Sequence, residues 1–216
     1  MLVSDLLAPK AFLGVGLILR QPGGFLFGIR PPKQHSSQII LEITGIGGKM
    51  EAGDASLAHC ARREAYEEIS AAIRILPCPH ALVVRSLDQV QEVTFEGIDR
   101  PAALVFRGHR TPPHQPFISV QPDDGCVVVF LAELIDSPTP SPEIPYLIQL
   151  SPSQIFSAAQ ADLPISDLLK GGGLLLPGPF PPPDPAALAR LTDSQEALAL
   201  ALGRRAESFY LSLFVL

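Results

Sequence analysis

The stretch Gly45 to Ile73, GIGGKMEAGDASLAHCARREAYEEISAAI, decides how the rest of the chain is read. A glycine cluster opens it, and from about Ala55 to Ala72 neither Gly nor Pro interrupts a run rich in Ala, Glu, Arg and Leu. Such a run favours a helix, with Asp54 as its candidate N-cap. At about 100° of rotation per residue, Glu64, Glu67 and Glu68 project at about 0°, −60° and +40°, so three carboxylates share one face. Like charges at that spacing repel, and a bound cation would remove the cost. Ala58, Ala61, Ala65, Ile69 and Ala72 fall on the other flank and form a small-residue stripe that can lie close against a sheet. The helix is then held by its alanine side while its carboxylates line a cleft. Hard oxygen ligands in that arrangement suit Mg²⁺ or Mn²⁺ beside substrate phosphates, and Gly47-Gly48 lets a backbone carbonyl approach as a further ligand.

Strand-like runs precede this segment. Residues 11–20 (AFLGVGLILR) and 24–29 (GFLFGI) are separated by QPGG, the turn chemistry of a hairpin, and Gln38 to Thr44 (QIILEIT) leads into the glycine cluster. Three strands are therefore expected before the helix. After it, Ala81 to Val84, Ala102 to Phe106 and Cys126 to Leu134 read as strands, which makes the order mixed α/β. Seventeen of the 23 prolines lie beyond residue 100 and mark loops at 110–116 and 136–145, which excludes those segments as central strands. Short helices are expected after Ser151-Pro152 and around Ser166 to Lys170. Residues 171–185 (GGGLLLPGPFPPPDP) read as a stiff connector, Ala186 to Leu202 as an alanine and leucine helix, and SFYLSLFVL as a tail too apolar to float free.

Gly48, Asp54 and Arg63-Glu64-x-x-Glu67-Glu68, with the loop Gly47-Gly48-Lys49-Met50-Glu51-Ala52-Gly53, resemble the signature of the Nudix hydrolases, G-x5-E-x7-R-E-U-x-E-E-x-G-U, where U is a bulky aliphatic residue. Asp54 stands for the glutamate, and eight residues rather than seven separate it from Arg63. Ala65 is smaller than the usual residue, and Ser70 replaces the glycine that ends the helix. The extra residue precedes Arg63, so the spacing of the glutamates is untouched. Asp54 either caps the helix or reaches the ligand shell, with capping the favoured role. Ser70 leaves the helix exit less well defined, because serine adopts left-handed geometry less readily than glycine.

The resemblance implies a Nudix-type α/β/α sandwich with a mixed sheet over about residues 1–170. Residues 171–216 would be a Pro-rich connector with a C-terminal helix and apolar tail, packed on the domain or on a dimer partner. It implies that the Gly47 carbonyl, Glu64, Glu67 and Glu68 hold the cation, that Glu64 acts as base, and that Arg63 orients Glu64 or a neighbour. Glu143 is the candidate for an added acid from a later loop. The implied reaction splits the pyrophosphate bond of a nucleoside diphosphate linked to another moiety, such as an ADP-ribose-like compound, a dinucleotide or a nucleoside triphosphate. The competing reading is a non-catalytic nucleotide-binding or regulatory module on the same fold.

Composition limits the partners. The formal net charge is −6 and the four lysines are scattered, so no basic stripe exists to neutralise a nucleic-acid polymer. A small phosphorylated nucleotide is the expected substrate. No stretch has the length and apolarity of a membrane span, and a cytoplasmic location is expected. Cys60, Cys78 and Cys126 are an odd count without C-x-x-C spacing, which reads as buried reduced thiols. His59 reads as a surface or interface residue, and His80, His109 and His114 as loop residues. Arg20 and Arg30 sit near strand ends, where an ordinary surface role is expected.

Overall fold

The structure is a computed structural model that describes residues 2–6, 13–35, 37–107 and 125–203. His109, His114, the loop at 110–116 and the apolar tail lie outside the described residues. Strand β1 (Leu13–Gln21) and β2 (Gly24–Ile29) form the expected hairpin, with Gln21 opposite Gly24. A short β3 (Lys33–His35) folds back on β4 (Gln38–Thr44), so among the described residues four strands, not three, precede helix α1 (Leu57–Ile69). Then come β5 (Ile73–Leu76), β6 (Ala81–Val84), β7 (Val90–Val93), β8 (Ala103–Arg107) and the long β9 (Gly125–Leu134). The chain continues through β10 (Tyr146–Leu150), α2 (Pro152–Gln160), β11 (Leu163–Pro164) and α3 (Ile165–Lys170). It closes with β12 (Leu174–Leu176), β13 (Leu188–Leu191) and α4 (Asp193–Gly203).

The mixed sheet runs β11-β13-β4-β2-β1-β9-β8-β6-β7, with β5 on β9 and β10 on β2. At its centre β1 lies parallel to β9, from Leu13 opposite Cys126 to Arg20 opposite Glu133. Alternation along these two strands sorts the core into faces. Val15, Leu17, Val128 and Phe130 meet α1 through Ala58, Ala61, Ala65 and Ile69. On the other face Leu131 packs with α2 and α3, and Val129 with Ala197 and Leu198 of α4. Helices thus cover both faces, the α/β/α arrangement, and each fully buried large side chain such as Phe130 contributes about 1.5–3 kcal/mol. The alanine stripe ends one residue early, because the helix stops at Ile69 and Ala71, not Ala72, is the buried residue. All three cysteines are free and buried; burial pushes the Cys78 thiol up to about 11 and those of Cys60 and Cys126 up to about 12.

The C-terminal part departs from its sequence reading. Ala186 to Leu202 is not one helix, since Leu188–Leu191 forms β13 beside β4, in parallel, with Leu188 opposite Ile40 and Leu191 opposite Ile43. In LARL, Ala189 and Leu191 are buried while Leu188 and Arg190 are half-buried, a period of two that outweighs the helix propensity of Ala and Leu. Arg190 is fixed by two bonds to the Asp162 carboxylate, at 2.8 and 2.5 Å. Within the expected connector, β12 adds to β10, with Leu147 opposite Leu176.

Candidate active site at the glycine loop

Helix α1 starts later than the sequence suggests. Ser56, with extended backbone, is the N-cap, and its Oγ accepts from the His59 amide at 3.1 Å. Asp54 therefore neither caps the helix nor stands free as a ligand. Its carboxylate, 1% exposed, accepts from Arg63 Nε at 3.1 Å and Arg63 Nη2 at 2.9 Å, and from the Glu51 amide at 2.9 Å. His59 Nδ1 lies 3.0 Å from the same group, so this half-exposed histidine buttresses the loop. The Arg63 guanidinium holds the Asp54 carboxyl well below the usual carboxylate range.

Arg63 is the hub of the site. Besides Asp54 it donates to the Lys49 carbonyl at 3.0 Å, and its Nη1 donates to Glu64 and to Glu67, each at 2.9 Å. One fork thereby ties the loop, the helix start and two of the three glutamates. At the far end Ser70 takes up the left-handed conformation, with φ 49°, and its amide donates to Tyr66 O. The exit is thus sharply defined, against the expectation from serine's preferences.

The loop is pressed onto β1. The Val15 amide donates to Gly48 O and the Leu17 amide to Ile46 O, both at 2.8 Å. At Gly47, with φ 147°, an added Cβ would lie 2.3 Å from the Val15 carbonyl oxygen, so only glycine fits. The Gly47 amide is turned to α1, where it donates to Glu68 Oε2 at 2.8 Å. Glu64 comes as near to the loop, since a Cβ on Gly48 would stand 2.5 Å from its carboxylate.

Burial separates the three glutamates. Glu68 is 5% exposed, and burial pushes its carboxyl up to about 7 against the opposing Gly47 amide, with Glu64 and Glu143 adding to the rise. Burial likewise raises Glu64, against the pull of Arg63. Glu67 stays at the rim with its side chain 56% exposed. Glu143 itself is exposed, in the loop after β9. As placed, no three His, Cys, Asp or Glu side chains among the described residues converge closely enough to hold a metal ion, because Arg63 holds Glu64 and Glu67 while Glu68 turns to Gly47. The donor set nevertheless fits a hard divalent cation: two carboxylates largely withdrawn from water, of which Glu68 has no ion pair among the described residues, face a loop of bare backbone.

On the other side of the loop lies a cavity of about 230 Å³, lined among others by Gly16, Arg30, Gly45, Gly47, Ser194 and Gln195. Arg30 thus serves a cavity rather than open surface, and Arg20 pairs with Glu133. Sequence reading passed over Ser194 and Gln195; the one signal was the polar run Thr192-Asp193-Ser194-Gln195-Glu196 inside an Ala/Leu-rich stretch.

A sheet sandwiched by helices, with a glycine loop facing a helix that carries R-E-x-x-E-E, defines a class, and comparison with known proteins agrees. The family model for the NUDIX domain matches residues 10–159. The chain belongs to the Nudix family. Nudix hydrolases generally use divalent metals and act on small nucleotide substrates. Among solved structures, a NUDIX hydrolase from Nitrosomonas europaea is 18% identical, with a TM-score of 0.36, over 65% of this chain and 57% of its own. The E. coli ORF135 protein is 19% identical over 68% of this chain and 79% of its own, also with a TM-score of 0.36. The MutT protein from Methanosarcina mazei Go1 is 17% identical over 69% and 84%, with a TM-score of 0.36. The chain therefore spans little more than half of the first of these proteins. No curated protein matches it. No helix of the described residues is long and apolar enough to cross a membrane.

Proposed function

We propose that this protein is a divalent-metal-dependent hydrolase of the pyrophosphate bond in a nucleoside diphosphate linked to a second moiety, with Mg²⁺ or Mn²⁺ as the ion. The observation that carries the reading is the approach of two carboxylates, half-buried Glu64 and buried Glu68, to the backbone of Gly47 and Gly48. In this reading the Gly47 carbonyl, Glu64, Glu67 and Glu68 hold the ion. When bound, it would neutralise phosphate charge and acidify a water.

The side chains have separate tasks. Glu64 is the group that takes the proton of the attacking water, its carboxylate held in place by Arg63. Arg63 orients and does not itself react, since its donors go to Asp54, Lys49, Glu64 and Glu67. Glu143 serves as an auxiliary acid from its loop. Residues 1–170 form the catalytic unit, and within 171–216 strands β12 and β13 and helix α4 complete its sheet and cover one face; a homodimer through the apolar tail is part of the same proposal.

Purified protein assayed with ADP-ribose, dinucleoside polyphosphates, NADH and nucleoside triphosphates, in Mg²⁺ or Mn²⁺ and again in EDTA, tests the reading. Metal-dependent release of a nucleoside phosphate is expected. Glu64→Gln should lower kcat by two or more orders of magnitude at an unchanged Tm. A nucleotide that binds tightly and returns unaltered in the presence of metal would overturn it.

A further inference from the structure

Two buried polar side chains stand in the cavity behind the loop, and no step of the proposed hydrolysis employs them. Ser194 and Gln195 open α4, and each is 5% exposed. Neither side chain makes a hydrogen bond among the described residues. Their polar atoms therefore stay open to the cavity, where a ligand can offer the missing groups.

The backbone is shaped around Gln195. A Cβ on Gly45 would lie 1.9 Å from its Nε2, and one on Gly16 would lie 3.2 Å from Nε2 and 3.4 Å from Ser194 Oγ. Glycine at 45 is thus required to seat the amide over the strand-to-loop junction. The same cavity wall includes Gly47 and Gly48, whose opposite side meets Glu68 and Glu64. Base reading there requires a substrate whose pyrophosphate sits at those carboxylates to extend past the loop to Gln195.

Arg30 and Lys49 line the same cavity, whereas the groups that Ser194 and Gln195 add to it are neutral and two-sided. An amide sets a donor and an acceptor side by side, and a hydroxyl supplies one of each, which matches the edge of a nucleobase and not an acceptor-only phosphate. A volume of about 230 Å³ falls below the roughly 300–1,000 Å³ of sites that enclose a whole ligand, so it suits one ring. We propose that Gln195, with Ser194, is a specificity-determining pair that reads the nucleobase of the substrate. The proposal rests on the reading of the site as a nucleotide pyrophosphohydrolase.

Steady-state kinetics on ADP-ribose and its guanine, uracil and cytosine counterparts, with wild type, Gln195→Ala and Gln195→Glu, reads the pair out. Wild type is expected to discriminate among the bases. Gln195→Ala should raise KM for the preferred base about tenfold or more, with a much smaller change in kcat, and should flatten the preference. Gln195→Glu keeps the shape and loses the amide donor, so it should reorder the bases and remains informative if the alanine variant does not fold. Wild-type ratios of kcat/KM in a variant of unchanged Tm would overturn the proposal, as would a wild type indifferent to the base. If wild type turns over none of these compounds, the hydrolase reading fails separately. Calorimetric titration with AMP, GMP, UMP and CMP then decides: base-dependent affinity lost in Gln195→Glu supports the pair, and equal affinity in both proteins overturns it.

Discussion

Glu68 is the carboxylate of the site that burial carries into the neutral range. Its folded value of about 7 lies above the ordinary carboxylate value of 4.5, so between those limits the native state binds more protons than the unfolded state. Stability from this group is therefore complete below pH 4.5 and is lost as pH rises through 7, by at most about 3 kcal/mol. In EDTA, wild-type Tm should fall across that window more steeply than that of Glu68→Gln, as thermal melts at fixed ionic strength would show. Parallel slopes would contradict it. Divalent ion should raise Tm more at pH 8 than at pH 5, because ionised Glu68 gains most from a cation. Gly48 gives a second prediction. A methyl there meets a flexible carboxylate rather than backbone, so Gly48→Ala should spare Tm but displace Glu64 and lower kcat by about a hundredfold. That Glu64, Glu67 and Glu68 gather on one side of the helix was legible in their i, i+3, i+4 spacing. Asp54 was harder to place: a local motif offers two sites for a short acid, and only the fold shows that Arg63 takes it.

At the scale of elements, helix α1 has an exact start and a strained end. Ser70 occupies left-handed space that favours glycine, so Ser70→Gly should stabilise the protein by up to about 1 kcal/mol, measurable by urea denaturation. Removing the Ser56 cap with Ser56→Ala should cost about 1 kcal/mol in the same assay. Strands that alternate clearly or end in turn residues were readable, as in β1, β2, β4 and β9. The four-residue β5 and β7 and the three-residue β3 were missed, since so few positions show no period and their strand form comes from partners supplied elsewhere in the chain. LARL was misread for the same reason: Ala and Leu favour a helix until the open edge of β4 offers a ladder.

For the whole molecule, the matched family region ends at 159, yet the sheet does not. Ala189 and Leu191 are fully buried with Ile43, Leu41 and Phe25, and α4 covers Val129 and Val105. A chain ending at Lys170 should therefore expose that apolar face, lose several kcal/mol of stability and aggregate, which light scattering and urea melts would show. A truncated protein as stable as the full chain would mean that β13 and α4 are accessories. The pairing of β4 with β13 also has a temporal side. Ile40 waits for Leu188, made some 150 residues later, so at about 5–20 residues per second the nascent edge that leads into Gly45 stays open for roughly 7–30 s. An incomplete translation product would thus carry every acidic side chain of the motif, with its loop already seated on β1, while the neighbouring edge of β4 stayed bare.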